Sequence, residues 1–133
     1  MNPLLDEYFN SVEASLIESS IVRSYTIICR EISLVDGKMR VKAVLEDNFL
    51  LEFFLYLVDK NEHIEQSKYS FHWQNAQGGL IKRWDNAPHH PSLKNAPHHT
   101  HIGDDHVEAS LDVPDVFFVI EQIEADLNMA SNC

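Results

Sequence analysis

Cysteine is almost missing from this chain, and positive charge is scarce. Of 133 residues, Cys29 and Cys133 are the two that carry a thiol, and two cannot make a disulfide framework. Cys29 falls in an apolar, strand-like run, where a free thiol behaves as a small core residue. The N-terminal stretch does not combine a basic segment with an apolar one, and no apolar run approaches the length that spans a bilayer. A cytoplasmic protein with no membrane partner is therefore expected. Lys and Arg number 10 against 21 Asp and Glu, a formal net charge of −11. Proteins that bind nucleic acid usually carry a basic face, because phosphate contacts supply much of the affinity. The bulk charge argues against non-specific binding of RNA or DNA, but leaves room for one local anion site.

What is present is enough for one globular domain, taken here as residues 1–133. The hydrophobic share of 44% is that of a folded protein, and a chain of this length buries a real core without staples. Residues Pro3 to Ser19 read as a helix. Leu4, Leu5, Tyr8, Val12 and Leu16 recur at helical spacing between acidic residues, and Asn2-Pro3 supplies a cap and a first helical position. From Ile21 to Ser33 the chain turns β-branched and aromatic, the composition of a strand. Asp36-Gly37 is a hairpin signal. After it Met39, Val41, Ala43 and Leu45 alternate with Lys38, Arg40 and Lys42, as in a strand with one wet face.

Phe49 to Val58 is apolar apart from Glu52 and a tyrosine, and reads as a central strand covered on both faces. In Ile64–Gln74, Tyr69, Phe71 and Trp73 line one side while Ser70, His72 and Gln74 line the other. A glycine-containing loop, Asn75–Gly79, returns the chain as Leu80–Trp84, which places His72 and Arg83 on a shared face if the register allows. Thr100–Ile102 is expected as a short edge strand. A second helix opens at Asp112-Val113-Pro114, with Val116, Phe117, Ile120, Ile123 and Leu127 on one face. The fold class predicted is α+β: an antiparallel meander of about five or six strands flanked by an N-terminal and a C-terminal helix.

One stretch has no packing explanation. Between Arg83 and His101 the pentapeptide Asn-Ala-Pro-His-His occurs twice, at Asn86–His90 and Asn95–His99. Five of the eight histidines lie here, with His106 just beyond. Histidine is a polar residue to bury, so a core role does not account for the pattern. From Leu80 to His101 the charges are Lys82, Arg83 and Lys94 against Asp85 alone, so the segment is locally cationic.

Such a composition suits acid–base chemistry on a phosphodiester. Cleaving RNA at its own 2′-hydroxyl needs a base, an acid and a cation on the phosphate, and imidazoles titrate near the working pH. His90, His98, His99 and His101 are the candidate acid and base. Arg83 offers a fork for the phosphate, and Asp85 holds an imidazole in the useful tautomer. Trp84 supplies a ring on which a base can stack, and His72 and Asn86 complete the substrate-binding set. That chemistry needs no cofactor. The alternative is a metal: His99 and His101, two apart on a strand, point to one side. A third ligand from His89, His90 or His106 would make a three-histidine site for Zn2+ or another divalent transition metal. A non-catalytic partner-binding module is the third reading.

Arg83-Trp84-Asp85-Asn86-Ala87-Pro88-His89-His90 and Pro97-His98-His99-Thr100-His101, preceded by Tyr69–Trp73 and a glycine hairpin, resemble the TumE-like family. Those proteins are small toxins of bacterial and archaeal toxin–antitoxin modules, usually encoded beside a helix-turn-helix antitoxin. The resemblance implies a toxin that acts on RNA and is held inactive by such a partner, with a homodimer left open.

Overall fold

The computed structural model describes residues 2–87, 98–103, 106–109 and 113–131. An N-terminal helix, α1 (Pro3–Glu18), is followed by seven strands and a C-terminal helix, α2 (Val116–Ser131). The strands are β1 (Val22–Ile32), β2 (Asp36–Leu45), β3 (Leu50–Lys60), β4 (His63–Gln74), β5 (Leu80–Asp85), β6 (His99–Ile102) and β7 (His106–Ala109). They lie in one sheet in chain order, every neighbour antiparallel. The α+β class and the flanking helices are as expected, but the described residues form seven strands rather than five or six. The extra one is β7, four residues long, which pairs beyond Gly103. Thr100–Ile102 is accordingly not an edge: β6 starts at His99 and is bonded on both sides.

Burial follows the pleat. Met39, Val41, Ala43 and Leu45 on β2, Leu51, Phe53, Leu55 and Leu57 on β3, and Tyr69, Phe71 and Trp73 on β4 are all buried. Register pairs them across the sheet, Val41 with Phe53 and Phe53 with Phe71, so they share one face. Both helices cover that face. Leu5, Phe9, Val12 and Leu16 of α1 form an i, i+4, i+7, i+11 stripe, and Val116, Val119, Ile120 and Ile123 of α2 join the same core. Tyr8 and Phe117 meet edge-on across the two helices, 6.2 Å between ring centres. Arg30 on β1 bonds Asp6 and Glu13 of α1, pinning the helix against the sheet.

Among the described residues, no helix lies on the opposite face of the sheet. In β3 buried and half-buried residues alternate along the strand, so the reading of a strand covered on both sides is corrected. Glu52, Phe54 and Tyr56 stand on the uncovered side. An apolar run alone does not reveal whether a second layer will arrive. Two turns also sit elsewhere than expected. Asp36-Gly37 lies inside β2, the reversal being made at Ser33–Val35, where Ser33 N–H donates to the Asp36 carbonyl at 2.8 Å. The start of α2 is capped by Asp115, whose Oδ1 accepts from Phe118 N–H at 2.8 Å; Asp112 lies outside the described residues. No helix among the described residues is long and apolar enough to cross a membrane.

Asn2 does cap α1, and does more. Its Oδ1 accepts from Leu4 and Leu5 N–H at 3.0 and 3.1 Å, while Nδ2 donates to the Leu34 carbonyl and to Asp59 Oδ2 at 2.9 and 2.7 Å. One buried amide thus joins the helix start to the β1–β2 turn and the end of β3. Asn2→Ala is expected to lower stability by about 2 kcal/mol, a cap loss plus stranded buried partners. The check is the urea midpoint at unchanged m-value.

Candidate functional site

The site grows from the register of β4, β5 and β6. His72 pairs with Arg83, and Arg83 pairs with His101. One row along, Ser70 pairs with Asp85, and Asp85 with His99. Because cross-strand partners point the same way, these six side chains all project from the uncovered face. The sharing of a face by His72 and Arg83 is therefore direct.

At the centre is the Asp85 carboxylate, its side chain 7% exposed. Its Oδ2 accepts from Arg83 Nε at 3.0 Å, and its Oδ1 accepts from Ala87 N–H at 3.0 Å. His99 places Nε2 2.9 Å from Oδ1, and His101 places Nε2 3.8 Å from Oδ2. A buried carboxylate needs such partners, since leaving one unpaired is costly. The two imidazoles meet edge-on, 4.8 Å between centres. They differ in access: His99 is 1% exposed and His101 25%.

Arg83 reaches the other way as well. Its Nη1 donates to His72 Nδ1 at 3.2 Å, and His72 Nε2 lies 3.2 Å from Gln74 Oε1. A guanidinium can only donate, so Nδ1 of His72 accepts and Nε2 carries the ring hydrogen, directed at Gln74. Beside the row lies a cavity of about 240 Å3, lined among others by Phe54, Lys68, Ser70, Arg83, Asp85 and Asn86. A larger cavity of about 430 Å3 sits at the β1–β2 end, walled by residues such as Glu31, Asp36 and Tyr56, and holds no imidazole.

The remaining candidates go elsewhere. Trp84 is 3% exposed and belongs to the helix-covered core, with Lys82 Nζ 5.0 Å from its ring centre. It presents no ring to a substrate, and alternation along β5 explains why: it points opposite to Arg83. Asn86 spends both ends of its amide on the backbone, Oδ1 accepting from Tyr69 N–H at 3.1 Å and Nδ2 donating to the Ser67 carbonyl at 2.9 Å. It braces the end of β5 against the irregular part of β4. His106 pairs opposite Ile102, so it points away from His101, with Glu108 3.8 Å from its Nε2. It is not in the Asp85 group. His89 and His90 lie outside the described residues. Asp85, His99 and His101 offer one oxygen and two nitrogens within 4.8 Å of one another; of the expected three-histidine set, His99 and His101 stand together, and Asp85 was not among its members.

His98 immediately precedes β6 and turns to the covered side. Its ring stacks on Tyr69, 5.8 Å between centres and 8° between planes, and its Nδ1 lies 2.9 Å from the Tyr69 hydroxyl. Burial, aided by the Asp85 charge, pushes the Tyr69 hydroxyl well above its ordinary value. Burial, aided by neighbouring His99, holds His98 below the usual imidazole range. The two shifts agree: a protonated phenol donates to a neutral imidazole. Tyr69 was legible in the sequence as a core aromatic; its role as partner of His98 left no local signal.

Residues 12–129, most of the chain, match the family described as Toxin TumE. No curated protein and no solved structure matches.

The His98 shift sets a pH dependence. The folded state binds a proton at His98 less readily than the unfolded chain does, so His98 contributes no penalty above about pH 6.5, the ordinary imidazole value. Below it the unfolded state takes up protons first, and stability falls as the pH drops toward the depressed native value. His98→Gln is expected to lose less stability than wild type between pH 7.5 and 5.5, as read from urea midpoints at both values.

Proposed function

Because the chain belongs to the TumE toxin family, we propose that it is the toxin of a bacterial or archaeal toxin–antitoxin module and cuts RNA without a metal, at the row His72–Arg83–His101. The family supports a toxin and, in general, an antitoxin partner; we assign that partner to the helix-turn-helix class. The observation that carries the chemistry is the row itself. A guanidinium stands directly between two imidazoles on adjacent antiparallel strands, and a buried carboxylate grips it from behind.

Cross-strand neighbours are spaced by about 5 Å, so the two imidazoles flank the cation at about 10 Å from each other. A phosphate bound by Arg83 would have one ring on either side. The 2′-oxygen attacks the adjacent phosphorus, the bond to the 5′-oxygen breaks, and a 2′,3′-cyclic phosphate and a 5′-hydroxyl result. One imidazole takes the proton from the 2′-hydroxyl and the other delivers a proton to the departing 5′-oxygen. Arg83 offsets the charge that builds on the phosphoryl oxygens. Asp85 acts through its neighbours, fixing Arg83 by Nε and leaving its outer edge toward the open face. His99, buried against Asp85, is a positioning residue here; His98 belongs to the Tyr69 pair on the other side of the sheet.

A second reading rests on the Asp85, His99 and His101 cluster. Those three atoms make a set of the kind that holds a catalytic divalent ion with water in the remaining position.

Purified protein is expected to cut RNA in the presence of EDTA, leaving 2′,3′-cyclic phosphate ends. His101→Ala is expected to lower the rate by about 10²–10⁴, the usual contribution of one acid–base group. Asp85→Asn, which keeps the shape and removes the charge, should slow cleavage and displace the acidic limb of the pH–rate profile. Activity that stops in EDTA and returns with Zn2+ would assign the cluster to a metal. An intact rate in His101→Ala would remove the mechanism.

A further inference from the structure

The rows that carry the site do not stop at β4. The first continues from His72 to Glu52 on β3 and Lys42 on β2; the second continues from Ser70 to Phe54 and Arg40. A third, alongside, holds Lys68, Tyr56 and Lys38. All of these project from the face without helices.

Charge is segregated onto that face. Of the ten Lys and Arg in the chain, six stand at its register positions: Lys38, Arg40, Lys42, Lys60, Lys68 and Arg83. Of the 21 acidic residues, five among the described residues do: Glu31, Asp36, Glu52, Glu65 and Asp85. Three of those five are occupied at the margins, where Glu31 pairs with Lys38, Asp36 accepts from Tyr56, and Glu65 pairs with Lys60. In the middle, Arg40, Lys42, Lys68 and Arg83 face Glu52 and the buried Asp85. A protein with a net charge of −11 thus presents a locally cationic sheet. Phe54 lies half-buried in the middle, with the Arg40 guanidinium 4.9 Å from its ring centre, and it lines the 240 Å3 cavity together with Ser70 and Arg83.

We propose that this open sheet face is a single-strand RNA track. Its phosphates run over Arg40, Lys42 and Lys68, and one base beside the scissile phosphate sits in the Phe54–Ser70–Arg83 cavity. The proposal rests on the RNA-cutting reading and names how the substrate is held. Strands β2 to β5 span about 15 Å at the usual spacing, room for a few nucleotides leading to Arg83. Cationic side chains interleaved with an aromatic ring are what sequence-tolerant binding of single strands requires: charge for the backbone, and a π-face for any base. An acidic partner or a second copy of this chain would find the same charges. Neither, however, explains an arginine-stacked aromatic and a cavity both continuous with the histidine row.

The test is fluorescence anisotropy with a 2′-O-methyl RNA oligonucleotide, which binds but lacks the attacking hydroxyl. Phe54→Leu, which keeps bulk and removes the π-face, should weaken binding by roughly ten-fold or more, and Phe54→Tyr should restore it. Arg40→Ser and Lys42→Ser should each weaken binding and flatten the dependence of log K on log salt by about 0.7. Lys82→Ser, the same charge change on the helix-covered face, should do neither. Thermal unfolding of each variant reports on the fold. Equal affinity across the variants, or no binding by wild type, overturns the track; continued cleavage would then leave the nuclease reading standing. Binding lost in the variants by a protein that cuts no RNA would keep the track and remove the nuclease reading. Loss of the antitoxin complex in Arg40→Ser and Phe54→Leu, with RNA affinity unchanged, would give the face to the partner and overturn the proposal.

Discussion

Helices on one side of a seven-stranded antiparallel meander leave it with a dry face and an open one, and every other feature depends on that asymmetry. The dry face takes the aromatic stripe Tyr69, Phe71 and Trp73, the aliphatic residues of β2 and β3, and the apolar stripes of α1 and α2. Burial of that surface supplies the main driving force for folding. The open face is then free to hold charges that no core would accept. Lys42, Glu52, His72, Arg83 and His101 stand across five adjacent strands in register. The same residues on a sheet covered from both sides would each need a buried partner.

Asp85 is the point at which the end of β5 and the open-face row are tied together. It closes β5, accepts from the Ala87 backbone as the strand ends, and holds Arg83 and the β6 histidines on the open side. One residue earlier, Trp84 drives into the core; one residue later, Asn86 locks onto β4. Three consecutive side chains therefore anchor three different layers. The Arg-Trp-Asp-Asn stretch fixes a strand end in place and aims a cation and a carboxylate. That division of labour also explains why Trp84 and Arg83, adjacent in the chain, cannot serve one substrate.

Much of this was readable from local pattern. The helical stripe of α1, the alternation in β2 and β4, and the hairpin that sets His72 beside Arg83 are all short-range periodicities. Residues two or four apart report them directly. Alternation along β5 also contained the placement of Trp84 opposite Arg83, a signal that outweighs the general aptitude of tryptophan for stacking bases. The two-sided burial expected for β3 went the other way. A run of Leu, Phe and Tyr satisfies either environment, and whether a second layer covers it depends on elements far away in sequence. Phe54 was hidden by that ambiguity.

The sequence by itself determined the domain class, the inward and outward alternation of most strands and the concentration of imidazoles after β5, because each is written in spacing or composition, and its Arg83–His101 motif carried the resemblance to the family. The tertiary structure decided which of those imidazoles come together. His99 and His101 reach Asp85 because β6 pairs with β5 in one particular register. His98, one step out of phase, meets Tyr69, and His106 follows β7 to the opposite side. A one-residue change in position moves a side chain through the sheet, and pairing between strands is a long-range choice that no local pattern of histidines encodes.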